Sequence, residues 1–489
     1  MSFRLPKSII APILGLLLMG LQLFSACNSF RPITLDTATL STPERYGDRA
    51  AADTSNTLGA RPWEEFFTDS ALKALIAEAL RNNQDLRIAQ QRILQAQAQL
   101  QFAKGIRRPT LDALAVAGVT RFGDFTIDGV GNFDTNFSPN VTGSRVIPNP
   151  VPDFFLGFRS SWEIDIWGKW GAAKKSAQAR LLASQEVQNL STTEVVAQVA
   201  SAYYELMALD EELAVINRNI ALQESLLQLI RIQKEGGNVT ALSVQQAEAQ
   251  LYNTQSLAFG LQQQIVVLEN YLNYLLGRFP QPIARSQGFM AQALPDLGNI
   301  GSPEQLVMRR PDIRQALLLL NANEAELRMA QLAFLPALNL QAQAGYNAFR
   351  GEVLFNTPAS LAYNAFAGLI APLLNRYQLK VQKSVSKAEA EIAALQVQQT
   401  LLQAYAEVLN QRQLIDNLAA VERLRQQEVQ VLNQAVTTSQ DLFVTGYASY
   451  LEVIVAQKSV LEAQMSFVDI RKQQFQGYIQ LYRALGGGW

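Results

Sequence analysis

No histidine occurs anywhere in the 489 residues. That absence excludes Ser-His-Asp and Cys-His nucleophiles, His-ligated metals and histidine proton shuttles. The single cysteine, Cys27, leaves no partner for an intramolecular disulfide and no Cys-x-x-Cys metal or redox pair. Charge is sparse as well, 17% of residues against about 25% in typical soluble domains. Lys+Arg 41 and Asp+Glu 42 give a net charge of −1, no footing for nucleic acid as a partner. Neither a Walker-type nor a dinucleotide-type glycine pattern is present, so no cofactor is expected. Neighbouring acids such as Glu211-Glu212 and Glu389 with Glu391 read as solvated helix charge rather than acid/base pairs. Without histidine there is no support for dedicated copper or silver ligands, and no metal site is expected. After Cys27 no apolar run approaches the roughly 20 residues of a transmembrane helix, so any membrane crossing must use strands.

What is present begins with an export signal. Arg4 and Lys7 form a positive start, an uncharged apolar stretch runs from Ile9 to Phe24, and Ser25-Ala26-Cys27 follows. The pattern resembles a bacterial lipobox, which implies cleavage after residue 26 and acylation of Cys27 as the mature N-terminus.

Self-similarity organises the rest. Asp85, Arg87, Ala89, Leu100, Pro109, Leu111 and Gly118 recur 227 residues later as Asp312, Arg314, Ala316, Leu327, Pro336, Leu338 and Gly345. Ala202-Tyr203 and Glu205 recur as Ala404-Tyr405 and Glu407 at offset 202, and Gly237, Leu242, Val244, Leu272 and Gly277 as Gly446, Leu451, Val453, Leu481 and Gly486 at offset 209. The chain is two copies of one unit. The falling offset gives the first copy about 25 more residues, placed in the Gly/Asn/Pro-rich stretch 121–152. The expected layout is a signal over 1–26, an extended lipidated segment over 27–62, one repeat over 63–298 and the second over 299–489.

Within a copy the order reads helix, strand, strand, long helix, helix. Leu72, Leu75, Ile76, Ala79 and Leu80 predict a helix from Asp69 to about Lys104, matched by about Pro303 to Leu332. Period-two alternation then predicts strands at 110–120, 154–166, 337–347 and 361–371. Leu338, Leu340, Ala342, Ala344 and Tyr346, for example, oppose Asn339, Gln341, Gln343 and Asn347. Long helices are predicted over about 171–235 and 377–445, where no proline and, after Gly171, no glycine intervenes. At 1.5 Å per residue each is a rod of about 95–105 Å. Glycine turns at Gly236-Gly237 and Gly446 send the chain back.

Strands of about ten residues with one apolar face fit an outer-membrane barrel. Four of them cannot close one, and an open edge in lipid leaves backbone groups unsatisfied at several kcal/mol each. Several copies must therefore combine, and strand counting alone does not choose between two, three and four. The alternative is a lipid-anchored periplasmic coiled-coil scaffold or adaptor without a pore. Trp162, Trp167 and Trp170, clustered at a strand end, suit an interfacial girdle, and Trp167 and Trp170 equally suit packing at the strand-to-helix junction.

Four stretches carry a family resemblance: Arg309-Arg310-Pro311-Asp312-Ile313-Arg314, Trp162-Glu163-Ile164-Asp165-Ile166-Trp167-Gly168, Ser449-Tyr450-Leu451 with Ala456-Gln457, and the terminal Gln480 to Trp489. In these the chain resembles the TolC-like outer-membrane efflux proteins, lipoprotein branch, which serve resistance-nodulation-division (RND) pumps. The resemblance implies a mainly α chain with membrane β. It implies a homotrimer whose twelve-stranded outer-membrane barrel continues into a long periplasmic helical barrel, with an equatorial region midway. It also implies a passive exit duct for drugs or other toxic small molecules, anchored to outer-membrane lipid at Cys27, with a periplasmic adaptor (membrane fusion) protein and an inner-membrane RND pump as partners and no enzymatic role. The family's aperture residues fall on Leu451, Val455 and Lys458. The usual aspartate is replaced by Val455, so an anionic ring would need Glu452 to face inward, whereas Leu451 and Val455 would close an apolar ring by dewetting. Both also fit as ordinary seam residues of a coiled coil.

Overall fold

Apolar spacing, caps and glycine turns divide the chain into helices and strands in the order the repeat requires. The computed structural model describes residues 43, 46, 57–374 and 376–489. Cys27, the signal stretch and most of the segment before Thr57 lie outside them. The elements are α1 (Ser70–Asn82), α2 (Gln84–Gly105), β1 (Thr110–Thr120), α3 (Ile127–Asn136), β2 (Val151–Ile164), α4 (Lys169–Glu235), α5 (Ala241–Leu275), α6 (Glu304–Arg309), α7 (Pro311–Leu332), β3 (Ala337–Ala348), β4 (Leu361–Ile370), α8 (Arg376–Val444) and α9 (Tyr450–Ala484).

The continuous helices expected over 69–104 and 303–332 are each broken in two. Asn83 adopts an extended backbone and caps α2 by accepting from the Asp85 and Leu86 amides at 2.9 and 3.3 Å. Its amide nitrogen also donates to the Leu275 carbonyl at 2.9 Å. In the second copy the break falls at Arg310, extended because it precedes Pro311. Asn83 and Arg310 are separated by the 227-residue offset, so the break belongs to the repeat.

The strands form one antiparallel meander, β1-β2-β3-β4. Its register gathers one apolar face across all four: Ala113, Phe158, Ala344 and Tyr363 form one row, and Ala115, Leu156, Tyr346 and Leu361 the next. The reverse face carries Asp112, Arg159, Gln343 and Asn364 in register. At its centre Gly157 pairs with Gly345, and a Cβ on either would sit 2.6 Å from the other's Cα and 2.9 Å from the Phe155 ring. Only glycine permits this approach. β2 ends at Ile164, short of the expected 166. The Asp165 carboxylate accepts from the Trp170 and Gly171 amides at 3.1 and 2.7 Å, and Gly168 takes φ 81, turning the chain into α4. Among the described residues no helix is long and apolar enough to cross a membrane.

The two long helices span 67 and 69 residues, about 100 Å each. Between sheet and equator, α4 lies beside α2 and α7, and α7 beside α8. Beyond the equator the packing order is α5, α4, α9, α8. The main core lies where α1, the middle of α4, the end of α9 and the 283–289 linker meet, with Tyr204 stacked on Phe475 at 4.1 Å and Phe66 on Tyr482 at 4.1 Å. Burial and the Asp69 bond push the Tyr203 hydroxyl up to about 12 despite the Ser286 amide donating to it.

Candidate functional site: the tip and the sheet

The helical end is built twice by the same device. In the first hairpin the Asn238 and Gly237 amides donate to the Gln233 and Lys234 carbonyls at 2.9 and 3.0 Å. In the second, the Tyr447 and Gly446 amides donate to those of Leu442 and Phe443 at 2.8 and 3.2 Å. Both are Schellman closures, with Gly237 at φ 76 and Gly446 at φ 82. The hairpins are held together by Leu226, Leu227, Ile230 and Leu251 of the first against Phe443 and Val453 of the second. The Tyr450 hydroxyl adds a bond to Gln246 Oε1 at 2.5 Å.

Leu451, Glu452, Val455 and Lys458 all lie on the opening turns of α9. Leu451 and Val455 are each 54% exposed, while Val453 at 0% and Gln457 at 2% fill the seam. The coiled-coil seam reading of Leu451 and Val455 therefore fails within the chain. They share one free face, a turn apart. Glu452 does not offer a free carboxylate. It completes a capping box with Ser449, whose amide donates to its Oε2 at 2.5 Å. The Ser449 hydroxyl and amide bonds hold the Glu452 carboxyl below its ordinary value. Lys458 is exposed and 3.9 Å from Glu462.

Midway along the helices arginine clamps fix the bundle. Buried Arg310 donates to Asp312 at 3.0 and 2.6 Å, to Glu407 at 2.9 Å and to the Ala484 carbonyl at 3.1 Å. Burial alone would lower its pKa, but the two carboxylates outweigh that and raise it. Asn83 makes the equivalent bond to Leu275 in the first copy. Arg285 ties α4 to α5 through Asp210 at 2.9 Å and Glu269 at 2.5 Å, and Arg278 grips Glu78 at 2.7 and 2.8 Å. The spacing of charges gave no hint of these clamps, although Pro311 marks where Arg310 leaves the helix.

At the junction of sheet and helices the Trp162 indole donates to the Arg107 carbonyl at 3.0 Å and the Trp167 indole to Pro336 at 2.7 Å. Lys169 stands 4.2 Å over the Trp170 ring. These bonds pin the end of β2 to the entries of β1 and β3, the junction role.

The family model described as outer membrane efflux protein matches residues 75–278 and 302–487. The two matches start 227 residues apart and end 209 apart, the offsets of the internal repeat. The chain belongs to the outer membrane efflux protein family. It is an outer-membrane efflux channel and not an enzyme. One relative is the pyoverdine export outer membrane protein OpmQ of Pseudomonas aeruginosa, 30% identical over 97% of this chain and 96% of its own length. Another is the cation efflux system protein CusC of Escherichia coli (strain K12), 25% identical over 90% of each chain. The crystal structure of a membrane protein from Pseudomonas aeruginosa superposes with a TM-score of 0.80 at 26% identity, covering 92% of this chain and 97% of that one. The TolC-like fold, long helices with a four-stranded sheet and two repeats, is thereby shown.

Proposed function

We propose that three copies of this efflux channel close its sheet into a twelve-stranded outer-membrane barrel. The helices continue it as a tunnel through the periplasm to a gated tip. The carrying observation is a four-stranded sheet with two unpaired edges and one apolar face, arranged for lipid outside and water within. Exposed apolar residues on the two flanks support the same assembly: Tyr252, Phe259 and Val266, seven apart on α5, and the pairs Leu395 with Leu402 and Leu424 with Val431, each seven apart on α8. A pore-free scaffold would have no use for the apolar sheet face.

Cys27 carries the lipid anchor in this reading. A periplasmic adaptor and an inner-membrane RND pump engage the helical end and supply the driving force, so cargo choice rests with the pump. OpmQ exports pyoverdine and CusC belongs to a cation efflux system, so relatives of one architecture serve chemically unlike cargoes. Leu451 and Val455 form the apolar closure of the tip, and the Tyr450–Gln246 bond holds the second hairpin against the first. Tyr450→Phe removes that bond without changing shape. In planar bilayers it should open more often than the parent, and unchanged opening would show that the contact does not restrain the gate.

A further inference from the structure

At the sheet end remote from the helices, residues 121–150 form a built loop around α3. The Thr126 hydroxyl accepts from the Gly129 amide at 3.1 Å, capping the helix. The Asn136 side chain bonds both the Ile147 carbonyl and amide, at 3.0 and 2.9 Å, as a strand neighbour would. Arg350 from the β3–β4 loop donates to the Val146 carbonyl at 3.1 Å, joining the two copies' loops. Val130, Phe133 and Asn136 of α3 line a cavity of about 500 Å³ together with Val151. Val151 pairs with Thr120 and alternates with Asp153 and Phe155, which places it on the polar face of the sheet. The cavity beside the helix therefore opens at the rim of the sheet's polar face.

The helix and its flanks leave their apolar side chains uncovered. Phe125, Ile127, Phe133 and Phe137 are 103%, 92%, 65% and 71% exposed. A patch of that kind marks an interaction surface. Lipid is a poor occupant, because interfacial helices carry Lys and Arg on their polar face, whereas α3 has Asp128 and Asp134 and no basic residue. The loop also starts where edge strand β1 ends, and β1 is one of the edges that must pair with a neighbouring copy.

We infer that the occupant is a second copy of this chain. Across the threefold axis the α3 loops meet through Phe125, Ile127, Phe133 and Phe137 and narrow the external mouth to an apolar aperture, a second constriction distinct from the periplasmic tip. This rests on the trimeric channel reading.

The test places single cysteines at Phe125→Cys and Phe137→Cys in the full chain and treats isolated outer membranes with bis-maleimidoethane. The unsubstituted chain controls for Cys27, and Tyr363→Cys on the apolar face serves as a non-reacting position. An unboiled gel reports the trimer separately. The expected result is an unboiled trimer that yields covalent dimers after boiling for both loop variants and monomers for Tyr363→Cys. A trimer giving only monomers overturns the inference, whether an impermeant maleimide labels the loop cysteines freely (an open mouth) or fails to reach them (a loop in lipid). Loss of the trimer in every sample, the unsubstituted chain included, would overturn the underlying reading as well.

Discussion

Neighbouring residues on β4 give the sharpest test of which face meets lipid. Ala365 lies in the apolar row opposite Ala342, and Asn364 lies on the other face opposite Gln343. The ten residues of β4, at about 3.3 Å each and tilted about 40°, span roughly 25 Å, the height of the apolar band. Ala365, fifth of the ten, therefore sits near the bilayer midplane. Arginine there costs about 2–4 kcal/mol per chain, a factor of about 30 to 700 in the folding equilibrium. Asn364→Arg places the same charge in the aqueous lumen at a cost near zero. Refolding from urea into lipid vesicles, read by heat-modifiable gel migration, compares the two. Ala365→Arg should lose most of its folded band under conditions where Asn364→Arg keeps it. Equal yields, or the reverse order, would refute the assignment of faces.

The remaining predictions concern the equator and the tip. Arg310→Met strands Asp312 and Glu407 and should cost about 3–5 kcal/mol, lowering the temperature at which the assembly dissociates on gels. Arg425→Ala removes an exposed pair with Glu428 and should leave that temperature nearly unchanged, at about 0–1 kcal/mol. Glu452 has a lowered carboxyl pKa, so its contribution to the α9 start is complete above the ordinary value of 4.5 and is lost as pH falls through the lowered one. Hydrogen exchange of the first turn of α9 should accelerate in that acidic window and lose its pH dependence in Glu452→Gln. Val455→Asp should raise cation preference in planar bilayers, and unchanged selectivity would place Val455 away from the pore.

Much of this architecture was legible in the sequence because its signals are periodic. The alternation around Leu338–Tyr346 predicted β3 to within a residue, and the proline-free runs predicted α4 and α8. What escaped depended on single residues acting over long distances. Asn83 ends a helix because its side chain finds two amides ahead and a carbonyl 192 residues away, and no local propensity records that. The α3 helix was hidden by Gly129 and Gly131, poor helix formers tolerated beneath a Thr126 cap. At the tip, Leu451, Val453 and Val455 are three apolar residues two apart in the sequence. Only the packing of Val453 against the first hairpin separates the seam from the free face.

In the proposed assembly, copies of this four-stranded sheet close a barrel only together. Native mass spectrometry of the detergent-solubilised protein tests it directly. A particle with the mass of three chains is expected. A strictly monomeric particle, with β1 and β4 left as open edges, would contradict it and favour the lipid-anchored scaffold.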